Sequence, residues 1–375
     1  MIRIDSIDAG SARDVARFVD LGYRLYEGHT LWVPPPRRDI ALMLDARRHP
    51  FYEQSTAAFF VAARDGRDVG RLAVLDHRAS NVFHGTREAW FYLFECEDDP
   101  ECAGELFARA CEWGHARGLS RILGPRGFSV FDGYGILVAG FEHRPMMTMA
   151  NYNRAYYGPL VERLGFSKVV DFESYRLARD TFVMPDRVRQ AAERVRLRGS
   201  LRIVEMRSRY TLARVARRIG EAYNRAFSGN WEYYPLSTRE VDFLVRQLIL
   251  LASPRLIKLI ARGDEIVGFL FAFPDVSAAL QRAQGRLRPG TLFDLVREAR
   301  RTEWVAMNGA GILPEYQGRG GNALLYTEME RTIRDSRYRW ADLPQVAESA
   351  AQMRKDLAGL GAVSYKTHRI YARDM

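Results

Sequence analysis

Lysine is nearly missing from this chain: Lys168, Lys258, Lys355 and Lys366 are the only four in 375 residues. Cysteine is scarce as well. Cys96, Cys102 and Cys111 are odd in number and crowded into one short stretch, which argues against a disulfide framework and predicts a reducing compartment. No run of about 18 apolar residues occurs, so no transmembrane helix is expected. The opening MIRIDSIDAGSARD has no basic start followed by an apolar stretch, so no secretory leader is expected. There is no G-x-x-x-x-G-K-[ST] loop, and no G-x-G-x-x-G closely following a strand with an acid downstream. With 47% hydrophobic and 27% charged residues, composition excludes a disordered, collagenous or coiled-coil chain. These absences predict a cytoplasmic globular protein, with a peripheral position at the inner membrane as an alternative.

What the chain has is arginine. Lys and Arg together number 56 against 46 acids, for a net charge of +10. Such an excess suits an anionic partner: nucleic acid, a membrane surface or a phosphorylated cofactor. The codon usage of a GC-rich genome is the bland alternative. Much of the arginine lies between Arg187 and Arg225. That run reads either as a solvated helix face and linker or as a lipid surface. No aromatic interleaving or nucleic-acid motif accompanies it, so nucleic acid is not expected as a partner.

An internal repeat organises the chain. FFVAARDGRDVGRLAVLDH (59–77) and LIKLIARGDEIVGFLFAFPD (256–275) each read as a β-hairpin, with a turn built on Asp-Gly or Gly-Asp. VERLGFSKVVDFESYRLARD (161–180) resembles LAGLGAVSYKTHRIYARDM (357–375). In both, a helical stretch stops at Leu-Gly, where glycine suits a left-handed C-cap, and strand-like segments follow. Gly70 pairs with Gly268 and Gly165 with Gly361, at offsets of 198 and 196. Two matches at nearly one offset predict two copies of one α+β domain, 1–184 and 185–375. Each copy reads helix, hairpin, strand, helix, strand, helix, strand pair. The segment 124–157 is an insertion in the first copy and 275–300 an insertion in the second.

The segment richest in chemistry is WVAMNGAGILPEYQGRGGNALLYTEMERTI (304–333). It reads as a strand, a proline turn, a Gly-rich loop and an amphipathic helix with Leu325, Met329 and Ile333 at i, i+4, i+8. Small residues let backbone N–H groups approach a ligand, and a helix N-terminus adds free donors and a positive dipole end, which suits a pyrophosphate. Arg319 adds a possible direct phosphate contact.

Gln317-x-x-Gly320-x-Asn322, preceded by Ile312-Leu313-Pro314-Glu315-Tyr316, resembles the Q/R-x-x-G-x-G/A pyrophosphate loop of the GNAT superfamily of acyl-CoA-dependent N-acyltransferases. The resemblance spans about 256–375, and weakly the first half, so the chain is similar to tandem GNAT proteins. The fold this implies is α+β (αβα): two tandem GNAT-like domains, each a mixed, mostly antiparallel sheet flanked by helices. Asn322 departs from the usual Gly or Ala, but Asn tolerates positive φ better than most residues.

The resemblance implies that Gln317, Gly318, Arg319, Gly320, Gly321, Asn322 and Ala323 hold the pyrophosphate of acyl-CoA, which would serve as co-substrate, with no tightly bound cofactor. It implies that Gly311, Ile312 and Leu313 meet the pantetheine arm, and that a backbone N–H near Ile312 polarises the thioester carbonyl. The usual base is missing, because its position matches Ala306. The Asn and Tyr that relatives carry on the following helix match Ala350 and Leu357. Glu348, after the expected strand Trp340–Val346, is the leading replacement base, with His368 and Tyr365 as further candidates. Helix capping and structural roles are their respective alternatives.

The equivalent loop of the first copy, FECEDDPECAGEL (94–106), carries six acids and one glycine. Like charges would repel a pyrophosphate, so this copy is expected to bind no CoA. Its acids lack an ordered metal-ligand spacing, and no metal is expected. The insertion offers Phe128, Phe131, Tyr134, Phe141, Met146, Met147, Met149, Tyr152, Tyr156 and Tyr157, either for an apolar acceptor tunnel or for ordinary core. The function implied is transfer of an acyl group from CoA to a primary amine. Tandem proteins with a degenerate first half resemble the bacterial ceramide-synthase type, which would make the acceptor a long-chain sphingoid base met at an anionic membrane. Acetylation of a small amine or amino acid, and a non-catalytic CoA-binding protein, are the alternatives.

Overall fold

The computed structural model describes the chain except residues 147–149, 207, 231–232 and 250. Met147 and Met149 therefore lie outside the described residues. The elements in chain order begin with β1 (Ile2–Ser6), α1 (Ala12–Leu25), α2 (Arg37–Leu44), β2 (Thr56–Arg64), β3 (Arg67–Asp76), α3 (Arg78–His84), β4 (Glu88–Cys96), α4 (Pro100–His115), β5 (Arg121–Gly124), β6 (Ile136–Ala139), α5 (Tyr157–Arg163) and β7 (Ser167–Ala178). They continue with α6 (Asp186–Arg198), β8 (Arg202–Val204), α7 (Arg209–Ala226), α8 (Thr238–Leu248), β9 (Ile257–Arg262), β10 (Glu265–Pro274), α9 (Ser277–Ala283), α10 (Pro289–Arg301), β11 (Trp304–Ile312), α11 (Gly321–Arg334), β12 (Trp340–Ala347), α12 (Ala351–Gly359) and β13 (Val363–Asp374).

Two compact units result. Unit 1 comprises Met1–Glu173, Ser277–Leu295 and Lys366–Met375; unit 2 comprises Ser174–Val276 and Val296–Tyr365. Against the expected division at residue 184/185, residues 174–184 fall in unit 2, and residues 277–295 and 366–375 fall in unit 1. The last four residues of β13 run antiparallel to β5, with Tyr371 beside Gly124 and Asp374 beside Arg121, so the end of the second copy completes the sheet of the first. The strand order in unit 1 is β1-β2-β3-β4-β5-β13, and in unit 2 it is β12-β11-β10-β9-β8. Pairing is antiparallel within these sets except for β4 with β5 and β11 with β12.

The repeat is visible in the backbone. Gly165 and Gly361, which end the matched helices, have φ of +84° and +85°, the left-handed C-cap conformation that glycine adopts without a Cβ penalty. The two hairpins have two-residue turns, Asp65-Gly66 between Arg64 and Arg67 and Gly263-Asp264 between Arg262 and Glu265. The matched Val-Gly pairs have a packing reason. A Cβ on Gly70 would meet Cys102 Sγ at 2.7 Å, and one on Gly268 would meet Ile312 Cδ1 at 2.4 Å.

The core of unit 1 gathers Phe91, Phe94, Phe107, Phe166 and Tyr157 around Leu106 and Val161. Phe91 meets Phe107 edge-on at 5.1 Å between centroids. Each such burial contributes about 1.5–3 kcal/mol against an equal-sized entropic cost. In unit 2 a smaller cluster of Tyr175, Val346 and Leu357 seats α12 on its sheet. Leu357 and Ala350 thus face apolar neighbours. Unit 2 also shows a full capping box at α8, where Ser237 and Glu240 reciprocate with each other's backbone N–H groups at 3.2 and 2.7 Å.

Candidate functional site

The two parallel pairings are matched and short. β4 and β5 share three rungs, Glu88–Arg121, Ala89–Ile122 and Trp90–Leu123. β11 and β12 share three, Trp304–Trp340, Val305–Ala341 and Ala306–Asp342. Beyond Ala306 the strands part, although β11 runs on to Ile312 and β12 to Ala347. Three residues past the last rung, β4 and β11 each carry a left-handed residue, Leu93 at +48° and Gly309 at +126°. Each strand is bulged there against its neighbour. The result in unit 2 is a wedge whose one wall is the free edge of β11.

That edge offers backbone donors. Leu313 N–H is committed to Val267 O on β10 at 3.0 Å. Alternation along an antiparallel strand then turns the N–H and C=O of Ile312, and the N–H of Ala310, to the free edge. The Ile312 carbonyl accepts Gln317 Nε2–H at 3.3 Å, which ties the loop to the strand end. Gly311 is tightly enclosed, since a Cβ there would lie 2.6 Å from Phe269 Cζ.

The Gly-rich loop follows a turn at Pro314–Tyr316. Gly318 and Gly320 take φ of +71° and +83°. Gly320 is the N-cap of α11, and no side chain caps that helix. The first intrahelical bond runs from Leu324 N–H to Gly320 O, so the N–H groups of Gly321, Asn322 and Ala323 have no helical acceptor. A Cβ on Gly320 would come within 2.7 Å of Val195 Cγ2, whereas one on Gly318 meets nothing within 4 Å. Arg319 is exposed, its guanidinium 5.5 Å from the Tyr316 ring centroid. The residues expected to cradle a pyrophosphate are thus brought together on one uncapped 14-residue helix, whose dipole favours an anion.

The charged group in the wedge is one that sequence reasoning missed. Ala306 and Asp342 share the last rung of the parallel pair, so their side chains lie on one face of the sheet. Asp342 is 2% exposed. Tyr365 Oη donates a hydrogen bond to Asp342 Oδ1 at 2.7 Å. Burial, and then the negative charge of Asp342, push the Tyr365 hydroxyl far above its ordinary value, so it stays protonated and keeps its role as donor. Two residues along β11, Asn308 is 9% exposed, and its Oδ1 has no hydrogen-bond partner among the described residues.

Glu348 follows β12 and is half-buried; its carbonyl accepts from Arg354 at 3.4 Å. His368 belongs to unit 1 on a rung opposite Leu137. Its Nε2 donates to Asn151 O at 2.8 Å, and burial lowers its pKa to about 4. That environment makes a neutral, anchored imidazole rather than a proton carrier.

In unit 1 the corresponding helix start is already filled. Asp99 caps α4, its Oδ1 accepting from Glu101 and Cys102 N–H at 3.1 Å each. Arg64 bridges Asp99 and Glu101 at 2.6 and 2.8 Å. Several side chains of the aromatic insertion pack against unit 1, while Phe131, Tyr134, Phe141 and Tyr156 are half-buried. Phe128 is fully buried against Phe51 at 4.8 Å and Phe59 at 6.1 Å, and Tyr134 rests on Phe172 at 4.6 Å. Tyr156 and Tyr157 bind the Cys96 carbonyl at 2.6 and 3.1 Å.

Four arginines of the run, Arg189, Arg196, Arg217 and Arg225, form ion pairs within unit 2. Arg189 meets Glu330 at 2.8 Å, Arg217 meets Asp242 at 3.2 Å, and Arg196 reaches Glu328. Arg225 joins Glu265 at 2.5 Å and also reaches Glu315. Far from the loop in sequence, α6 packs on α11 and lines Gly320 with Val195. Arg207 lies outside the described residues.

No family model matches the chain. It is 28% identical over 371 residues to a protein named bacterial ceramide synthase from Caulobacter vibrioides, covering 96% of this chain and 94% of that one. It is 23% identical over 375 residues to the protein YghO of Escherichia coli K12, covering 96% and 93%. Among solved structures it resembles a tandem GNAT protein from the clavulanic acid biosynthesis pathway, with a TM-score of 0.56, 13% identity and coverage of 100% of this chain and 98% of that one. A GCN5-related N-acetyltransferase from Sphaerobacter thermophilus matches at a TM-score of 0.50, 14% identity and coverage of 100% and 95%. The architecture is therefore the tandem GNAT fold.

Proposed function

We propose, from the premise that this chain is a tandem GNAT-type N-acyltransferase, that unit 2 holds acyl-CoA and that the acceptor is a long-chain amine of the sphingoid-base class. The observation that carries the donor half is the uncapped N-terminus of α11 behind Gly318 and Gly320. Its free N–H groups and dipole suit a pyrophosphate, while the open edge of β11 suits the amides of a pantetheine arm. The acceptor half draws on the full-length relative named bacterial ceramide synthase. A lipid amine would be met by peripheral contact with an anionic membrane. No helix among the described residues is long and apolar enough to cross one.

In this reading the amine nitrogen attacks the thioester carbonyl, and the developing oxyanion takes the free N–H of Ile312. Collapse breaks the C–S bond and releases CoA thiolate. Asp342 takes the proton shed by the amine nitrogen, and the Tyr365 hydroxyl, held to Asp342 at 2.7 Å, supplies one to the leaving sulfur. Tyr365 is then reprotonated from Asp342, so the proton count closes. The carboxylate that relatives place on the strand of Ala306 is supplied here from the adjacent strand. Unit 1, with its helix start occupied by Asp99, serves as scaffold and not as a second CoA site.

The test is release of free thiol from long-chain acyl-CoA and from acetyl-CoA, each with sphinganine and with a panel of small amines. Thiol and amide formed with the sphingoid base support the reading. Turnover with small amines alone moves the acceptor to that class. Tight acyl-CoA binding with no thiol released from any pair would leave a CoA-binding protein.

A further inference from the structure

The segment 275–300, which the second copy has and the first lacks, forms α9 and α10. Of the 13 residues of α10, only Leu295 is buried. Leu292, Phe293 and Val296 are 47%, 72% and 46% exposed. At about 100° per residue, these three and Pro289 fall in one stripe on a single face. Arg300 lies in the same line, and Arg297 and Arg301 flank it on one side. The helix acids, Asp294 and Glu298, fall on the opposite half. Asp294 is held by Arg282 through two bonds of 2.9 and 3.0 Å. Arg297, Arg300 and Arg301 make no ion pair among the described residues, and all three are exposed. Arg286 and Arg288, in the loop entering the helix, are exposed as well.

We propose that α10 is an interfacial anchor that lays Leu292, Phe293 and Val296 into the headgroup boundary of an anionic membrane while its arginines reach lipid phosphates. The surface is read from α10 itself and rests on the acyltransferase reading only for its purpose, delivery of a lipid amine. Charge selects the occupant. A second copy of this face would set arginine against arginine across a two-fold contact, and a nucleic acid would leave the apolar stripe facing phosphates. An anionic lipid surface accepts both halves: aliphatic and aromatic side chains insert at the boundary, and arginine stems snorkel beside them.

The experiment is co-sedimentation of the full chain with phosphatidylglycerol–phosphatidylcholine vesicles and with phosphatidylcholine vesicles alone. The wild type should bind the anionic vesicles and release at high salt. Leu292→Ser/Phe293→Ser and, separately, Arg297→Glu/Arg300→Glu should each weaken binding roughly tenfold or more, since burial and charge contribute jointly. These residues are exposed, so melting temperature should hold. Thiol release with a soluble acyl-CoA and a water-soluble amine should match wild type for both variants. Failure of the wild type to bind anionic vesicles, or unchanged binding by both variants, overturns the proposal. Self-association in sedimentation velocity that Phe293→Ser removes, without vesicle binding, would assign the face to a second copy instead and overturn it too. Vesicle binding is read without turnover, so loss of this proposal and loss of the acyltransferase reading are separate outcomes.

Discussion

Tyr365 donates a 2.7 Å hydrogen bond to Asp342, and Asp342 stands on the rung of β12 beside Ala306 of β11. Asp342 is buried and Tyr365 half-buried where the two strands begin to diverge. A carboxylate in that position is costly unless its charge is hydrogen-bonded or in use, and Tyr365 satisfies one of its lone pairs.

If this pair moves the protons, Asp342→Asn and Tyr365→Phe should each lower kcat by about 10²–10⁴, while acyl-CoA affinity stays at the wild-type value. Because Tyr365 is pushed well above the ordinary tyrosine range, its protonated form persists on the alkaline side, and no alkaline loss of activity should trace to it. Stopped-flow thiol release against pH checks both points. An alkaline limb that Tyr365→Phe removes, or equal kcat in Asp342→Asn, would exclude the assignment.

The loop glycines should separate by position. A Cβ on Gly318 meets open space, so Gly318→Ala carries only the left-handed backbone cost of about 1–2 kcal/mol. Gly320→Glu adds a clash with Val195 and a negative charge at the helix N-terminus. Its acyl-CoA affinity should fall at least about tenfold, a cost of roughly 1.4 kcal/mol. Isothermal titration with CoA, alongside circular dichroism to verify the fold, reads the difference; equal affinity in Gly320→Glu would unseat the loop as the pyrophosphate cradle.

Much of this was legible in the sequence because backbone demands leave marks in residue type. Gly165 and Gly361 announce left-handed C-caps, and Gly318 and Gly320 announce a left-handed loop that opens an uncapped helix. Asp342 announces nothing. A single aspartate within the strand ADLPQV acquires its meaning from the register of β12 against β11 and from Tyr365, and neither is local. The destination of β13 is hidden for a related reason. The repeat pattern records that a strand exists, not which sheet it completes. The arginine run shows a third limit: composition counts cations without their partners, and the Glu330, Glu328, Asp242 and Glu265 that pair with Arg189, Arg196, Arg217 and Arg225 lie outside that run.

Unit 1 should bind no CoA because Asp99 occupies its helix start. Asp99→Ala should cost about 0.5–2 kcal/mol of stability, as loss of an N-cap does, and lower the melting temperature by about 2–4 °C per kcal/mol in a unit of this size. The number of acyl-CoA molecules bound per chain should stay the same, because Glu97, Glu101 and Glu105 remain. A rise in stoichiometry would show that capping alone closes the first site.

The buried histidines of unit 1 should make the protein acid-labile. Burial lowers His49 and His368 to about 4 and His77 to about 3, from an ordinary histidine value of about 6.5. A folded-state value below the unfolded one favours the neutral form. The stabilisation is therefore complete above about 6.5 and is lost as pH falls toward 4, where the unfolded chain binds protons that the fold refuses. Melting temperature should drop between about pH 7 and about pH 5, and less steeply in His368→Gln, whose amide can still donate to Asn151 O. That variant should release thiol with the wild-type pH profile, since His368 holds a strand in unit 1. A changed profile would return His368 to the chemistry, and a melting temperature flat across the interval would show that the three imidazoles are hydrated in the fold.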